Sequence, residues 1–232
     1  MNMQIPKKLK ILDWFSFFLI LFTCWLIFYK TPVEMNMGLV QKIFYFHVAY
    51  AWIGMVSFLV AAISAIIFFR KGFFIYDAVT ESAVEIGLVF TLIAIITGSI
   101  WARPIWNTWW TWDPRLTTTS IMALIYAGYL FLRGSLDNPE KRRKITSIYS
   151  IIGCLSVPLT FFSIRGVRSI HPVVFGGDTP DFNMDSQMLR TMLIAIAVFS
   201  IFYIAVMWHR IRLAELKEEI EQLKLTSEED HD

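Results

Sequence analysis

The run "VAYAWIGMVSFLVAAISAIIFF", residues 48–69, extends for 22 positions without a charged side chain and indicates the class of fold. A helix of that length is about 33 Å long, enough to cross a hydrocarbon layer of about 30 Å. Five further predominantly apolar runs flank it: Leu12–Tyr29, Ala83–Ala102, Thr117–Leu132, Ile145–Ile164 and Met188–Trp208. We therefore expect an all-α, polytopic integral membrane protein with six transmembrane helices.

The composition supports a membrane protein and excludes other classes. Hydrophobic residues make up 56% of the 232 residues, charged residues only 17%, and the mean hydropathy is +0.55, which is too apolar for a soluble domain of this size. The net charge of +2 is too small to suggest a nucleic-acid partner. The expected environment is the lipid bilayer.

The distribution of basic residues predicts the orientation. If the amino terminus is cytoplasmic, 14 of the 21 Lys and Arg residues fall on the cytoplasmic side and 7 on the other. The positive-inside rule then places both termini in the cytoplasm. From position 209 onward Leu213, Leu216, Ile220 and Leu223 recur at helical spacing among Glu and Lys. We expect a transmembrane domain over residues 1–208 and a short cytoplasmic helix or tail over residues 209–232.

Five of the nine tryptophans crowd into "WARPIWNTWWTWD", residues 101–113. Tryptophans normally collect at membrane interfaces, and this would explain the scattered Trp14, Trp25, Trp52 and Trp208. The clustered five also suit an aromatic platform for a flat ligand, since ring faces stack favourably. The five are Trp101, Trp106, Trp109, Trp110 and Trp112. On spacing alone, both interpretations stay open.

Asp113 is followed directly by Pro114. This order is typical of an N-cap with proline at the first helical position. The pair predicts that the fourth span begins at Pro114.

Two histidines are expected on the same side of the membrane as the tryptophans. His47 begins the second span, and His171 lies in the outer loop before the sixth. A single interfacial histidine more often serves in hydrogen bonding or capping. Two of them flanking an aromatic platform favour axial ligation of a porphyrin iron.

Four arginines are also expected on that side, where basic residues should be few. Each alone is explained by lipid headgroup contact, whereas together they suit carboxylates such as the propionates of haem. They are Arg103, Arg115, Arg165 and Arg168.

The stretch "WARPIWNTWWTWDPRL", residues 101–116, resembles the tryptophan-rich WWD signature of the haem-handling proteins of cytochrome c maturation. The six-span length, "YFHVAYAW" at residues 45–52 and "RSIHP" at residues 168–172 are similar to the CcmC type of that family. Ala102 and Asn107 stand where the family usually has glycine, and Gly166 and Val167 stand where aromatic residues are common.

The resemblance implies that His47 and His171 are the axial ligands of non-covalent haem b. It also implies that the haem-facing WWD loop, residues 101–116, contains the five clustered tryptophans and Asp113 on the periplasmic face. The implied location is a bacterial-type inner membrane. The implied partners are a CcmE-like periplasmic haem chaperone, a small CcmD-like membrane subunit and CcmA/CcmB-like ABC transporter subunits.

The expected function is to hold haem at the periplasmic face and deliver it for c-type cytochrome biogenesis, as a transport and assembly factor rather than an enzyme. The sequence lacks a GxxxxGK[ST] motif, so energy from ATP would come from a partner. Two alternatives stay open: a membrane b-type cytochrome subunit for electron transfer, and an iron-free assembly factor that binds quinone or lipid.

Overall fold

The computed structural model describes residues 4–35, 37–166, 168–172 and 185–229. Within these ranges the chain forms helices and no strand. α1 is Lys7–Trp25, continued by a π-helical turn over Leu26–Lys30; α2 is Gln41–Lys71; α3 is Phe74–Trp106; α4 is Pro114–Gly134; α5 is Pro139–Gly153; α6 is Ser156–Gly166; and α7 is Ser186–Glu229.

Six segments of the described chain are long and apolar enough to cross a membrane, which confirms the predicted number of spans. α5 and α6 together make the fifth. The helices extend past the apolar runs because backbone groups in lipid have to be satisfied within the helix. α2, for example, continues to Lys71 and is capped by Gly72, whose φ of 71° lies in the left-handed region.

The fifth span is broken, although the sequence predicts one continuous run over residues 145–164. α5 ends at Gly153 and α6 begins at Ser156. Pro158 explains the break, because proline has no N–H to donate and its ring clashes with the carbonyl four residues earlier. That carbonyl belongs to Cys154, which instead accepts a shorter-range bond of 3.0 Å from the N–H of Val157.

α2 and α3 form the most extensive interface of the bundle. Their backbones approach closely at Gly54, where an added Cβ would lie 2.5 Å from Oγ1 of Thr91. Small residues allow such approaches between helices in membranes. Nearby, the Tyr50 ring contacts Phe90 of α3 and Phe199 of α7, with centroids 5.8 and 5.1 Å away. The core of the bundle therefore joins α2, α3 and α7.

The contacts between α1 and α7 define two ends of the bundle. At one end, His209 of α7 lies 3.0 Å from the Asp13 carboxylate, and this end holds the start of α1 and the extension of α7 beyond the sixth span. At the other end, the hydroxyls of Thr31 and Thr191 lie 3.0 Å apart. We call these the terminal end and the tryptophan end. That the terminal end faces the cytoplasm stays a prediction from the Lys and Arg distribution.

The described residues of the predicted tail are helical. α7 runs without a break from the sixth span through to Glu229, while residues 230–232 lie outside the described ranges. Arg210 of this extension pairs with Glu85 of α3, and Glu218 accepts a 2.5 Å bond from Arg143 of α5. The extension is thus held against the bundle by ion pairs.

A buried ion cluster at the terminal end joins α3 to α4. Arg133 is 7% exposed and donates to both carboxylate oxygens of the fully buried Asp77, at 3.0 and 2.7 Å. It also donates to Glu81 at 2.9 Å. Paired bonds of this kind hold both groups in one geometry.

Candidate ligand-binding site

A cavity of about 560 Å³ opens at the tryptophan end. Its size falls within the roughly 300–1,000 Å³ of small-molecule sites. Most of its wall is apolar, and residues of α2, α3, α4, α6 and α7 contribute to it. Six of the candidate site residues line it: His47, Trp101, Trp106, Trp110, Arg115 and His171. Trp52 of α2, one of the scattered tryptophans, lines it as well.

His47 lies in the second turn of α2 and points toward α3. Its Nδ1 is 2.9 Å from the carbonyl oxygen of Ala94. A carbonyl can only accept, so this contact places the proton of a neutral imidazole on Nδ1 and leaves the lone pair on Nε2. Metal-ligating histidines are commonly held by such a bond to a backbone carbonyl.

His171 shows the same arrangement in an irregular segment. Its Nδ1 lies 3.0 Å from the carbonyl oxygen of Pro172, and its ring packs against Trp106 with centroids 6.5 Å apart. Burial lowers the pKa of His171 to about 4, with smaller contributions from nearby His47 and Arg115. At neutral pH the imidazole is therefore uncharged, which is the form that ligates metals.

The tryptophans divide into two groups. Trp101 and Trp106 lie in α3, and Trp110 lies in the connector of residues 107–113, which we call the tryptophan loop; these three line the cavity. Trp109 and Trp112 are 58% and 80% exposed at the surface. The cluster is thus part cavity wall and part exposed surface.

Asp113 caps α4 as predicted. Its side chain accepts a 2.9 Å hydrogen bond from the backbone N–H of Arg115, with Pro114 at the first helical position. It does not line the cavity. The carboxylate also bonds to Ser169 and to the N–H of Ile170, a long-range contact that local sequence patterns did not predict.

Of the four arginines, Arg115 lines the cavity. Its Nη1 donates to the carbonyl oxygens of Thr160 and Phe161, at 2.7 and 3.0 Å. Both carbonyls belong to the middle of α6, within the helix Ser156–Gly166. Arg115 thereby joins α4 to α6 beside the cavity.

The other three arginines lie away from the cavity wall. Arg103 donates to the backbone and side-chain oxygens of Asn107. Arg165 stacks over the Phe161 ring at 5.0 Å, and Arg168 is exposed. The structure therefore does not bring the four guanidinium groups together.

The departures from the WWD pattern have partial structural explanations. Asn107 ends α3 with φ at 56°, and asparagine is among the few residues that tolerate this left-handed conformation, for which glycine is the usual choice. Ala102 is 2% exposed and Gly166 is the last residue of α6. Val167 lies outside the described ranges.

The residues present fit a haem-sized, flat apolar ligand with an iron centre. Two imidazoles, each with Nδ1 bonded to a backbone carbonyl, share one cavity with four indoles and one guanidinium, the fourth indole being that of Trp52 in α2. Gly98, which borders the His47 ring, and Ser169, two residues before His171, were not predicted. Local sequence marks neither residue, since Gly98 contacts His47 and Ser169 contacts Asp113, both about 50 positions away.

The comparison with known proteins agrees with this architecture. A family model described as "CcmC: Heme exporter protein C" matches residues 3–226. Heme exporter protein C of Rhodobacter capsulatus is 29% identical over 190 residues, or 80% of this chain and 77% of the relative. The "putative cytochrome c biosynthesis ccmC-like mitochondrial protein" of Marchantia polymorpha is 32% identical over 163 residues, or 70% and 68%. The protein of Escherichia coli K12 named Heme exporter protein C is 30% identical over 140 residues, or 60% and 57%. The chain therefore belongs to the CcmC family of Heme exporter protein C.

Proposed function

We propose that this chain binds haem in the cavity at the tryptophan end and hands it on during the biogenesis of c-type cytochromes. The observation that carries the proposal is the shared cavity of His47 and His171, each with Nδ1 bonded to a backbone carbonyl. The names of the relatives, which describe haem export and cytochrome c biosynthesis, support the same conclusion.

The two histidines would each offer Nε2 to the iron of non-covalent haem b. Imidazole is a standard axial ligand of haem. If both histidines held the iron, the protein would occupy the positions at which oxygen would otherwise bind. This arrangement suits the holding and transfer of haem rather than catalysis.

The cavity wall supplies the remaining contacts. Trp101, Trp106 and Trp110 present aromatic surface to a flat macrocycle, where ring contacts add about 0.5–1.5 kcal/mol each beyond burial. Arg115 is the candidate arginine that lines the cavity, so its guanidinium would bond a haem propionate. Such charge-assisted hydrogen bonds are stronger than bonds between neutral groups. Arg103, Arg165 and Arg168 would contribute only if their side chains turned toward the haem.

We further propose that the tryptophan end faces the periplasm of a bacterial-type inner membrane. The excess of Lys and Arg in the segments of the terminal end supports this orientation. The receiving partner would be a CcmE-like periplasmic haem chaperone that contacts the exposed Trp109 and Trp112. A CcmD-like subunit and CcmA/CcmB-like ABC subunits would complete the assembly, with the latter supplying energy from ATP.

An absorption spectrum of the purified protein tests the proposal. The wild-type protein is expected to show six-coordinate, low-spin haem. His47→Ala and His171→Ala should each lose one ligand, and the double variant should lose most of its haem. His209→Ala, at the terminal end beside Asp13, is the matched control and should keep the wild-type spectrum.

Two results would overturn it. A wild-type protein that takes up no haem under ample haem supply would favour an iron-free quinone or lipid site. An unchanged spectrum in the double variant would show that other groups ligate the iron.

A further inference from the structure

A hydrogen-bonded chain connects the tryptophan loop to His171. The Asp113 carboxylate accepts from the Ser169 hydroxyl, at 2.8 Å to Oδ2 and 3.0 Å to Oδ1. The same Ser169 oxygen accepts the backbone N–H of His171 at 3.0 Å. In addition, the N–H of Ile170 donates to Oδ2 of Asp113 at 2.9 Å.

Asp113 is well placed to hold this segment. It is 8% exposed, and its position is itself fixed, because it begins α4 and accepts the N–H of Arg115. Bonds to a buried carboxylate are charge-assisted and stronger than neutral ones. The segment at residues 168–172 is therefore attached to the rigid start of a transmembrane helix.

The two candidate ligands differ in how their backbones are supported. His47 lies inside α2, whose helical hydrogen bonds fix its backbone. His171 follows the end of α6 and belongs to no helix. Its orientation toward the cavity depends on tertiary contacts such as those of Ser169 and Asp113.

We propose that Ser169 and Asp113 are positioning residues for His171: the carboxylate anchors the serine hydroxyl, and the hydroxyl anchors the backbone of the ligand. This inference rests on the proposed function, because it assumes that His171 meets the haem iron. It assigns Ser169 a role although the side chain does not itself line the cavity.

The role requires a hydroxyl that donates and accepts at once. Ser169→Ala removes both bonds, while the Ile170 N–H can still reach Asp113. The segment should thus loosen rather than detach. Threonine keeps the hydroxyl and should restore the arrangement. Recovery in Ser169→Thr but not in Ser169→Ala would show that the hydroxyl is required, rather than only a small side chain at position 169.

The first test is the absorption spectrum and haem affinity of the full-length protein. In Ser169→Ala we expect part or all of the haem to become five-coordinate, with His47 as the remaining ligand. We also expect the affinity for haem to fall about 10- to 100-fold, because loss of other supporting contacts around metal ligands has an effect of this size. Ser169→Thr should return both toward wild type. Ser163→Ala, which removes a hydroxyl bonded to the Thr160 carbonyl in α6, is the matched control.

The second test needs no haem. Hydrogen exchange of the haem-free protein should show faster exchange at the amides of Ile170 and His171 in Ser169→Ala than in wild type or Ser163→Ala. If Ser169→Ala does not accumulate, Ser169→Cys keeps the side-chain size with a much weaker donor and is expected to give the same change.

The outcomes separate the two proposals. A six-coordinate wild type with an unchanged Ser169→Ala spectrum, affinity and exchange rate would overturn the positioning role while leaving haem binding intact. A wild type without haem, with faster exchange in Ser169→Ala, would overturn the proposed function but keep the anchoring of this segment. A Ser169→Thr variant as impaired as Ser169→Ala would also contradict the role of the hydroxyl.

Discussion

Gly98 of α3 lies directly against the imidazole of His47: a Cβ at position 98 would be 2.8 Å from Cε1 and 3.2 Å from Nδ1 of the ring. The same ring is bonded through Nδ1 to Ala94, one helical turn earlier on α3. The missing side chain at 98 therefore makes the room in which α3 orients the first candidate ligand.

Gly98→Ala should displace the His47 ring, since the added carbon comes closer than real Cβ contacts allow. We expect haem affinity to fall at least tenfold and the six-coordinate spectrum to weaken. Titration of the purified protein with haem measures both. Gly134→Ala, at a helical glycine with open space around it, should bind haem as wild type does; equal behaviour of the two variants would refute the steric argument.

Arg115→Ala should weaken haem binding more than Arg103→Ala, because only the former side chain lines the cavity. Loss of a charge-assisted bond costs about 1.5–3 kcal/mol, or roughly 10- to 150-fold in affinity. Binding of a haem diester, which lacks the propionate charges, should be much less sensitive to the substitution. Arg190→Ala, at an exposed arginine of α7, serves as control, and an equal loss for haem and its diester would contradict propionate recognition.

Substitution of a tryptophan that lines the cavity should affect haem affinity, whereas substitution of the two exposed tryptophans should affect haem transfer. Trp110→Ala removes a stacking surface and is expected to lower haem affinity about three- to tenfold. Trp109→Ala and Trp112→Ala should change affinity by less than about twofold while slowing transfer to a periplasmic chaperone. Transfer is measured by mixing haem-loaded protein with the chaperone and following the spectrum.

Trp14 provides the control for that series, because it is 64% exposed but belongs to α1 at the terminal end. Its alanine variant should retain both affinity and transfer. If Trp109→Ala and Trp112→Ala lower affinity as much as Trp110→Ala, the division into two groups is wrong.

Arg133→Ala should destabilise the bundle without changing the haem spectrum at low temperature. It leaves the fully buried Asp77 without its bidentate partner, and breaking a buried pair in this way costs about 3–5 kcal/mol. Thermal unfolding in detergent measures the change. Lys144→Ala disrupts a largely exposed pair with Glu140 and should cost no more than about 1 kcal/mol, so equal melting temperatures in the two variants would contradict the prediction.

The membrane fold was predictable because its signal is local. Runs of about 20 apolar residues leave few options other than transmembrane helices, and the cap at Asp113 involves a residue only two positions away. Pro158 also carried a local signal for the break in the fifth span, and the prediction of one continuous run did not use it.

The supporting contacts of the site were not predictable in this way. Asp113 and Ser169 are 56 positions apart, as are Asp77 and Arg133, and sequence spacing does not specify which residues of different helices meet. The division of the five tryptophans and four arginines between cavity wall and surface likewise depends on where each helix ends and how it is rotated.

Hydropathy and helical length act along the chain, so the six-span membrane fold, with an aromatic stretch and two histidines expected at one end, follows from the order of the amino acids. The folded arrangement was needed to show that Gly98 admits the His47 ring, that Ser169 holds the backbone of His171, and that Arg115 rather than its neighbours reaches the cavity. Those outcomes depend on close packing between helices, where contacts of 3–4 Å are set by the arrangement of the whole bundle.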